Sequence, residues 1–221
     1  MNKTIFSKTL LATSLVACTS LAQAEFSANM ALTSDYVFRG FSQSSEDPAV
    51  QGGFDYTHKN GFYAGVWASN VSSDMYNGSG IEADLYAGFS NELASGLSYD
   101  VGLIRYSYPG SSPKTDYEEI YAGLSYKFFS VKYYTGVDLG NEALGDYLDA
   151  GLEFDLPQGM GLALHIGNWN SKAAGGDYTD YKVGLSKEIK GFGFELAYTD
   201  TDVDNDPLAN GRVVLTISKA M

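Results

Sequence analysis

Acidic side chains recur at every second position in several stretches of this chain, as at Glu82 and Asp84. Because residues two apart point to the same face of a β-strand, such side chains form rows. Rows of carboxylates in a channel favour cations, and opposed acidic and basic rows orient polar solutes. These residues are therefore candidates for the lining of a polar lumen enclosed by β-strands.

Alternation along the predicted strands assigns a set of charged side chains to the inner face. They are Asp35, Arg39, Asp55, Glu82, Asp84, Asp100, Glu119, Lys132, Asp149, Glu153, His165, Lys182, Glu195 and Arg212, together with Lys127 and Asp138. An open channel is one interpretation, and a narrow lumen plugged by paired charges is the other. Both predict inward ion pairs, because a buried charge is costly unless it is paired.

Two histidines limit the catalytic alternatives. Outer-membrane lipid hydrolases use a serine activated by histidine, often spaced as H-x-S, and neither His58 nor His165 has a serine two residues later. His165 could reach a serine on an adjacent strand, such as Ser186, but a hydrogen bond to a lumen carboxylate is favoured. Omptin-like proteolysis would need acidic pairs with a histidine at the outer rim of a barrel, and neither histidine is predicted to lie there. The sequence therefore predicts no enzyme and no cofactor.

An acidic segment near the end of the chain carries four carboxylates at alternate positions, Asp200, Asp202, Asp204 and Asp206. The spacing superficially resembles a Ca²⁺ loop, but the glycine and the distal glutamate of such loops are missing. We expect a solvated acidic loop. A Ca²⁺ site, or a role in holding the divalent cations that bridge lipopolysaccharide, is the alternative.

The elements that must position these residues are roughly a dozen stretches of 8–12 alternating residues. Tight gaps lie at Lys59–Gly61, Ala94–Gly96, Phe129–Ser130, Pro157–Gly159 and Lys190–Gly191. Longer polar gaps lie between them, at 40–48, 70–80, 109–116, 140–146, 168–178 and 200–211. Short periplasmic turns that alternate with longer outer loops are typical of bacterial outer-membrane β-barrels. The predicted fold is all-β, a transmembrane antiparallel up-and-down barrel of about twelve strands.

The predicted outer face is apolar and ends in aromatic residues at the level of the lipid headgroups. The predicted girdle residues are Tyr36, Phe38, Tyr56, Phe62, Tyr126, Phe128, Phe154 and Tyr198. Glycines recur at inward positions, including Gly88, Gly102 and Gly123. They either leave space for water and neighbouring side chains or only relieve the curvature of the sheet.

The ends of the barrel follow from the same pattern. The first strand is predicted at about 26–38, and 212–221 is predicted to close the barrel beside it, although Met221 replaces the usual final aromatic residue. Ten or fourteen strands remain alternatives, because the second, third and seventh strands are short or alternate poorly. Arg105 interrupts the alternation of the fifth strand and predicts a β-bulge.

The first residues have the pattern of a secretory signal peptide: Lys3 and Lys8, an apolar run, then Ala22–Ala24 as the cleavage site. A lipoprotein-type signal, with Cys18 acylated, is the alternative. We therefore divide the chain into a signal peptide at 1–24 and a barrel at 25–221.

Composition excludes several classes of protein. The formal net charge of −13 argues against nucleic-acid binding, which needs a basic surface. No apolar run reaches the length of about 18 residues that a transmembrane helix needs.

Three segments carry a family resemblance. Ser34–Gln43, Pro48–Tyr56 and Gly61–Val71 resemble the start of the TorF family of proteobacterial porins, and the similarity runs over the whole predicted mature chain. The resemblance implies an outer-membrane barrel and brings no catalytic or ligand residues with it.

The predicted function is passive diffusion of small hydrophilic solutes or ions through a porin-like channel, with a preference for cations. A closed structural or surface-interaction barrel is the alternative. The predicted location is the outer membrane of a Gram-negative bacterium, reached by Sec export and signal-peptide cleavage. The expected partners are outer-membrane lipid, lipopolysaccharide, the barrel assembly machinery and the solutes themselves, but no nucleic acid.

Overall fold

The computed structural model describes residues 25–137, 145–171 and 176–221. The predicted signal peptide with Cys18, as well as Asp138, lies outside these residues. The strands are β1 Glu25–Thr33, β2 Val37–Phe38, β3 Phe41–Ser42, β4 Ala49–Thr57, β5 Phe62–Asn70, β6 Ile81–Glu92, β7 Leu97–Ser107, β8 Tyr117–Tyr126, β9 Phe129–Val137, β10 Gly145–Leu156, β11 Met160–Ser171, β12 Tyr178–Ile189, β13 Phe192–Thr201 and β14 Arg212–Ala220.

The helical segments in the described residues are two short 3₁₀ turns, Pro157–Gly159 and Pro207–Ala209. Neither they nor any other helix in the described part of the chain is long and apolar enough to cross a membrane.

Twelve of the strands form one closed antiparallel barrel, in which each strand pairs with its neighbours in sequence and β2 and β3 stand apart as a separate pair. The predicted all-β barrel of about twelve strands is therefore confirmed. β14 closes the barrel by pairing with β1, with Leu32 opposite Ile217. Two backbone hydrogen bonds of 2.8 and 3.0 Å join Met221 to Ala28 at the end of this strand pair. Closure leaves no free edge strand.

The outer face carries the apolar half of each alternating pattern. Leu85, Leu124 and Val183 are each between 43 and 60 % exposed, whereas Glu82 and Glu119 on the inner face are nearly inaccessible. Aromatic rings pair at the end with the short turns, as in Phe62 with Phe89 and Phe128 with Phe154. Such a surface matches lipid rather than water.

The second, third and seventh barrel strands form with nine residues each, so the alternatives of ten or fourteen strands are excluded. Two details of the strand prediction are wrong. The pairing of β7 with its neighbours continues through Arg105 without a β-bulge. Arg105 lies opposite Glu118 and forms ion pairs with Glu118 and Asp116 on the outer face, where the alternation would place an apolar side chain. The turn predicted at Phe129–Ser130 lies instead at 127–128, where Lys127 has a positive φ of 56°.

The first predicted strand is also too long. β1 ends at Thr33, and the following residues 34–48, here called the lumen hairpin, fold into the barrel. Arg39 and Gly40 form its tip, with φ of 48° and 83°, between the paired residues Phe38 and Phe41. Positive φ at both central residues defines the type I′ turn that favours tight hairpins. Tyr36 is consequently 4 % exposed inside the barrel, and the prediction of Tyr36 and Phe38 as girdle residues is wrong.

Candidate functional site: a hairpin across the barrel lumen

The tip of the lumen hairpin is held by a buried ion pair. Arg39 Nη1 and Nη2 donate to the two carboxylate oxygens of Glu119 on β8 at 2.8 and 2.7 Å. Burial alone would lower the pKa of Arg39, but Glu119 outweighs burial and raises the pKa above its ordinary value. The guanidinium therefore stays charged, and a bidentate geometry fixes its direction.

Aromatic rings surround the same guanidinium. Its Cζ lies 4.3–5.3 Å from the centroids of four rings, which belong to Phe38, Tyr134, Tyr147 and Trp169. A cation over a ring face in a desolvated site gains about 2 kcal/mol. The tip is thus bound to the wall strands β8 to β11.

The base of the hairpin is fixed on the opposite side of the barrel. Asp35 accepts hydrogen bonds from Ser42 Oγ at 2.6 Å and Ser44 Oγ at 3.0 Å, and it pairs with Arg212 on β14 at 2.9 Å. Arg212 Nη1 also lies 3.2 Å from Glu46 Oε1. Charge pairs at both ends therefore hold the hairpin across the lumen.

Two further contacts leave little space around the hairpin. Tyr36 Oη donates to Glu82 Oε1 on β6 at 3.2 Å. A side chain at Gly40 would bring its Cβ within 2.7 Å of Asp180 Cβ, so only glycine fits there. The hairpin consequently contacts the barrel wall on several sides.

Inward-facing glycines leave the space that tyrosine rings of the neighbouring strand occupy. Gly102 lies opposite Tyr121 and Gly88 opposite Tyr63, and a Cβ on either glycine would lie 2.5 Å from the tyrosine Cζ. The inward glycines therefore leave room for neighbouring side chains, one of the two predicted roles. The rings therefore lie flat along the wall, with their hydroxyls over the glycines of the neighbouring strand.

Tyrosine hydroxyls of the lumen wall form hydrogen bonds with carboxylates and with each other. Tyr63 Oη donates to Asp100 at 2.6 Å and lies 2.5 Å from Tyr121 Oη, while Lys132 Nζ pairs with Asp100 at 2.7 Å. On the adjacent wall, Asp55 accepts from Tyr86 and, at 3.4 Å, from Asn29.

His165 lies between two carboxylates. Its Nε2 is 2.8 Å from Asp180 Oδ1, and its Nδ1 is 3.4 Å from Asp149 Oδ2. Tyr147 Oη donates to Asp180 at 2.9 Å. Ser186 does not meet the histidine, because it lies opposite Gly161 while His165 lies opposite Lys182. The arrangement is a polar contact of the lumen wall and not a histidine–serine pair.

A cavity of about 120 Å³ remains beside the hairpin, on the side of β10 to β14. His165, Asp180 and Lys182 line it, and Lys182 pairs with Glu195 at 2.7 Å. Farther toward the short turns, Glu153 is exposed to the lumen. The hairpin therefore fills the lumen at its own level, apart from this cavity.

The structure brings the predicted lining residues together in the lumen, with two differences. Asp35 and Arg39 lie on the hairpin and not on a wall strand, and Lys127 lies in a turn against the ring of Tyr126. The prediction missed Asp180, which has the same parity as Lys182 and could have been found by alternation. It also missed the tyrosine hydroxyls, whose role depends on the glycines opposite them.

The four aspartates of the loop after β13 do not converge. Asp200 accepts from Tyr198 Oη at 2.8 Å, Asp202 from Thr179 N at 2.7 Å and Asp206 from Leu208 N at 3.0 Å. Within the described residues, no group of three or more Asp, Glu, His or Cys side chains is placed to hold a metal ion. The contacts described for these aspartates are therefore local turn contacts.

The barrel resembles the solved structures of two porins. The KdgM porin in complex with disordered oligogalacturonate has a TM-score of 0.60 and 10% identity, over 87% of this chain and 98% of that chain. The NanC porin has a TM-score of 0.54 and 9% identity, over 89% of this chain and 98% of that chain. At these identities the likeness shows the fold. No curated protein sequence matches the chain.

One family model matches nearly the whole chain, at residues 17–221. Its description is a bacterial protein of unknown function (Gcw_chp), and the resemblance to the TorF family is not confirmed. The chain belongs to the Gcw_chp family.

Proposed function

We propose that this protein is an outer-membrane channel for passive diffusion of small hydrophilic solutes or ions, with a preference for cations. One observation carries the proposal: the described basic residues of the lumen each contact a carboxylate, whereas Asp55 and Glu153 face the lumen without a basic partner. The remaining charge of the lumen is therefore negative, which concentrates cations at a narrow passage.

The lumen hairpin sets the width of this passage. It fills the lumen at its own level, apart from the cavity of about 120 Å³ beside it. Solutes that pass are consequently small. Oligogalacturonate, the ligand of the KdgM structure, is polyanionic, and the acidic lumen of this chain disfavours such a ligand.

The proposal includes the location and the partners. The apolar outer surface and the aromatic rings near the short turns fit an outer membrane, with lipid and lipopolysaccharide around the barrel. Export through Sec, removal of residues 1–24 and insertion by the barrel assembly machinery would precede this. We assign no catalytic role and no cofactor.

A closed barrel is the second candidate function, because the hairpin buries Tyr36 and Arg39 in the lumen centre. In that case the long loops act as a structural or interaction surface. The two functions differ in one measurable property, the passage of ions.

Conductance of single barrels in a planar bilayer under a KCl gradient tests the proposal. We expect discrete current steps and a reversal potential on the cation side. Neutralising two of the unpaired carboxylates, Asp55→Asn with Glu153→Gln, should move the reversal potential toward zero, because the lumen then loses part of its excess negative charge. Asp204→Asn, in an exposed loop, is the control and should change nothing. A silent bilayer that contains folded protein would support the closed barrel instead.

A further inference from the structure

Besides Asp55 and Glu153, two buried carboxyl groups of the lumen have no basic partner among the described residues. Glu82 and Asp84 occupy successive inward positions of β6 and are 2 and 7 % exposed. Neither forms an ion pair with a described basic residue, and their side chains are neighbours on the same face of one strand. Asp84 Oδ1 has no hydrogen-bond partner in the described part of the chain.

The elements packed against this pair present neutral groups. The hairpin supplies Tyr36, β5 supplies Trp67 and Ser69 opposite the two acids, and β7, β8 and the two long loops supply tyrosines. These tyrosines are Tyr76, Tyr106, Tyr108 and Tyr117. The charged groups of this region are Arg39 and Glu119, which neutralise each other.

Two adjacent carboxylates cannot both stay ionised in such surroundings. Burial disfavours each charge, and the second charge is further disfavoured by repulsion from the first. A shared proton removes one charge and supplies the missing donor between the two groups.

We propose that Glu82 and Asp84 form a proton-binding site of the lumen, which holds one proton while the lumen hairpin is docked. The inference deepens the proposed channel function, since the hairpin narrows the lumen. Tyr36 of the hairpin donates to Glu82 and covers the pair. Loss of the proton would leave two buried charges under an aromatic cover, and water could reach them only if the hairpin moves away.

The direction of the pH effect follows from linkage. The docked hairpin encloses one proton that a hydrated pair would release at neutral pH. Acid therefore favours the docked, narrow lumen, and rising pH favours release of the hairpin.

Infrared spectroscopy of the full barrel in lipid tests the proton directly and does not depend on conduction. We expect the carbonyl band of a protonated carboxylic acid to persist at neutral pH. Glu82→Gln and Asp84→Asn should each abolish it, because the remaining acid then carries the single charge of the pair. Asp100→Asn is the matched control, since Asp100 is paired with Lys132, and it should keep the band.

Conductance measured against pH then tests the coupling. In the native barrel we expect conductance to rise with pH, and in Glu82→Gln we expect this dependence to be lost. No acid band in the native protein overturns the inference, and a band that appears only after chelation would assign the pair to a cation instead. A clear band in a barrel that conducts no ions would keep the proton site and remove the channel function.

Discussion

Arg39→Ala should increase single-channel conductance several-fold and destabilise the barrel. The change removes both hydrogen bonds to Glu119 and the contacts with four aromatic rings, which together hold the hairpin tip. It also leaves Glu119, which is 1 % exposed, as an unpaired buried charge. Breaking a buried pair in this way costs about 3–5 kcal/mol. Planar-bilayer recording measures the first effect, and urea unfolding of the barrel in lipid measures the second.

A second arginine–glutamate pair provides the control. Arg105 binds Glu118 on the outer face and is 43 % exposed, so Arg105→Ala removes a pair of the same kind outside the lumen. We expect unchanged conductance there. Adding Glu119→Gln to Arg39→Ala should restore much of the stability, since the orphaned charge disappears, while the lumen stays wide. Unaltered conductance in Arg39→Ala would show that the hairpin does not limit the passage.

Gly102→Ala should destabilise the barrel by about 1–3 kcal/mol, the range for overpacking a filled site. The added Cβ would lie 2.5 Å from Tyr121 Cζ and 2.8 Å from the carbonyl oxygen of Ala87. The tyrosine must leave the wall, and its 2.5 Å contact with Tyr63 is then lost. Thermal loss of the heat-modifiable folded band on a gel measures the effect.

Gly80→Ala serves as the comparison, because a Cβ at Gly80 meets no atom within 4 Å. We expect no change there. Truncation of the opposing ring, in the double variant Gly102→Ala with Tyr121→Ala, should recover stability relative to Tyr121→Ala alone. If Gly102→Ala is as stable as the native barrel, the glycine only relieves curvature.

The barrel was predictable because each strand repeats a local pattern. On β6, Leu85 points outward and Glu82 points inward. The same rule holds for every strand of the barrel, because one face meets lipid and the other meets the lumen. The alternation of tight and long gaps likewise predicts which connections are turns. These signals lie within a dozen residues of one another, so the sequence displays them directly.

The same local pattern did not predict the lumen hairpin. Asp35, Tyr36 and Phe38 continue the alternation of β1, and within the segment only Arg39–Gly40 distinguishes a hairpin that folds back from a longer strand. The type I′ turn at Arg39–Gly40 was a usable signal. Its partners were not, because Glu119 lies 80 residues away from Arg39 along the chain.

The position of the hairpin in the chain constrains the order of folding. It follows the first strand, yet Asp35 bonds to Arg212, which lies 177 residues later. Contacts so distant in sequence form late, because the chain between them must be ordered first. We therefore expect the hairpin to dock only after the last strand has closed the barrel.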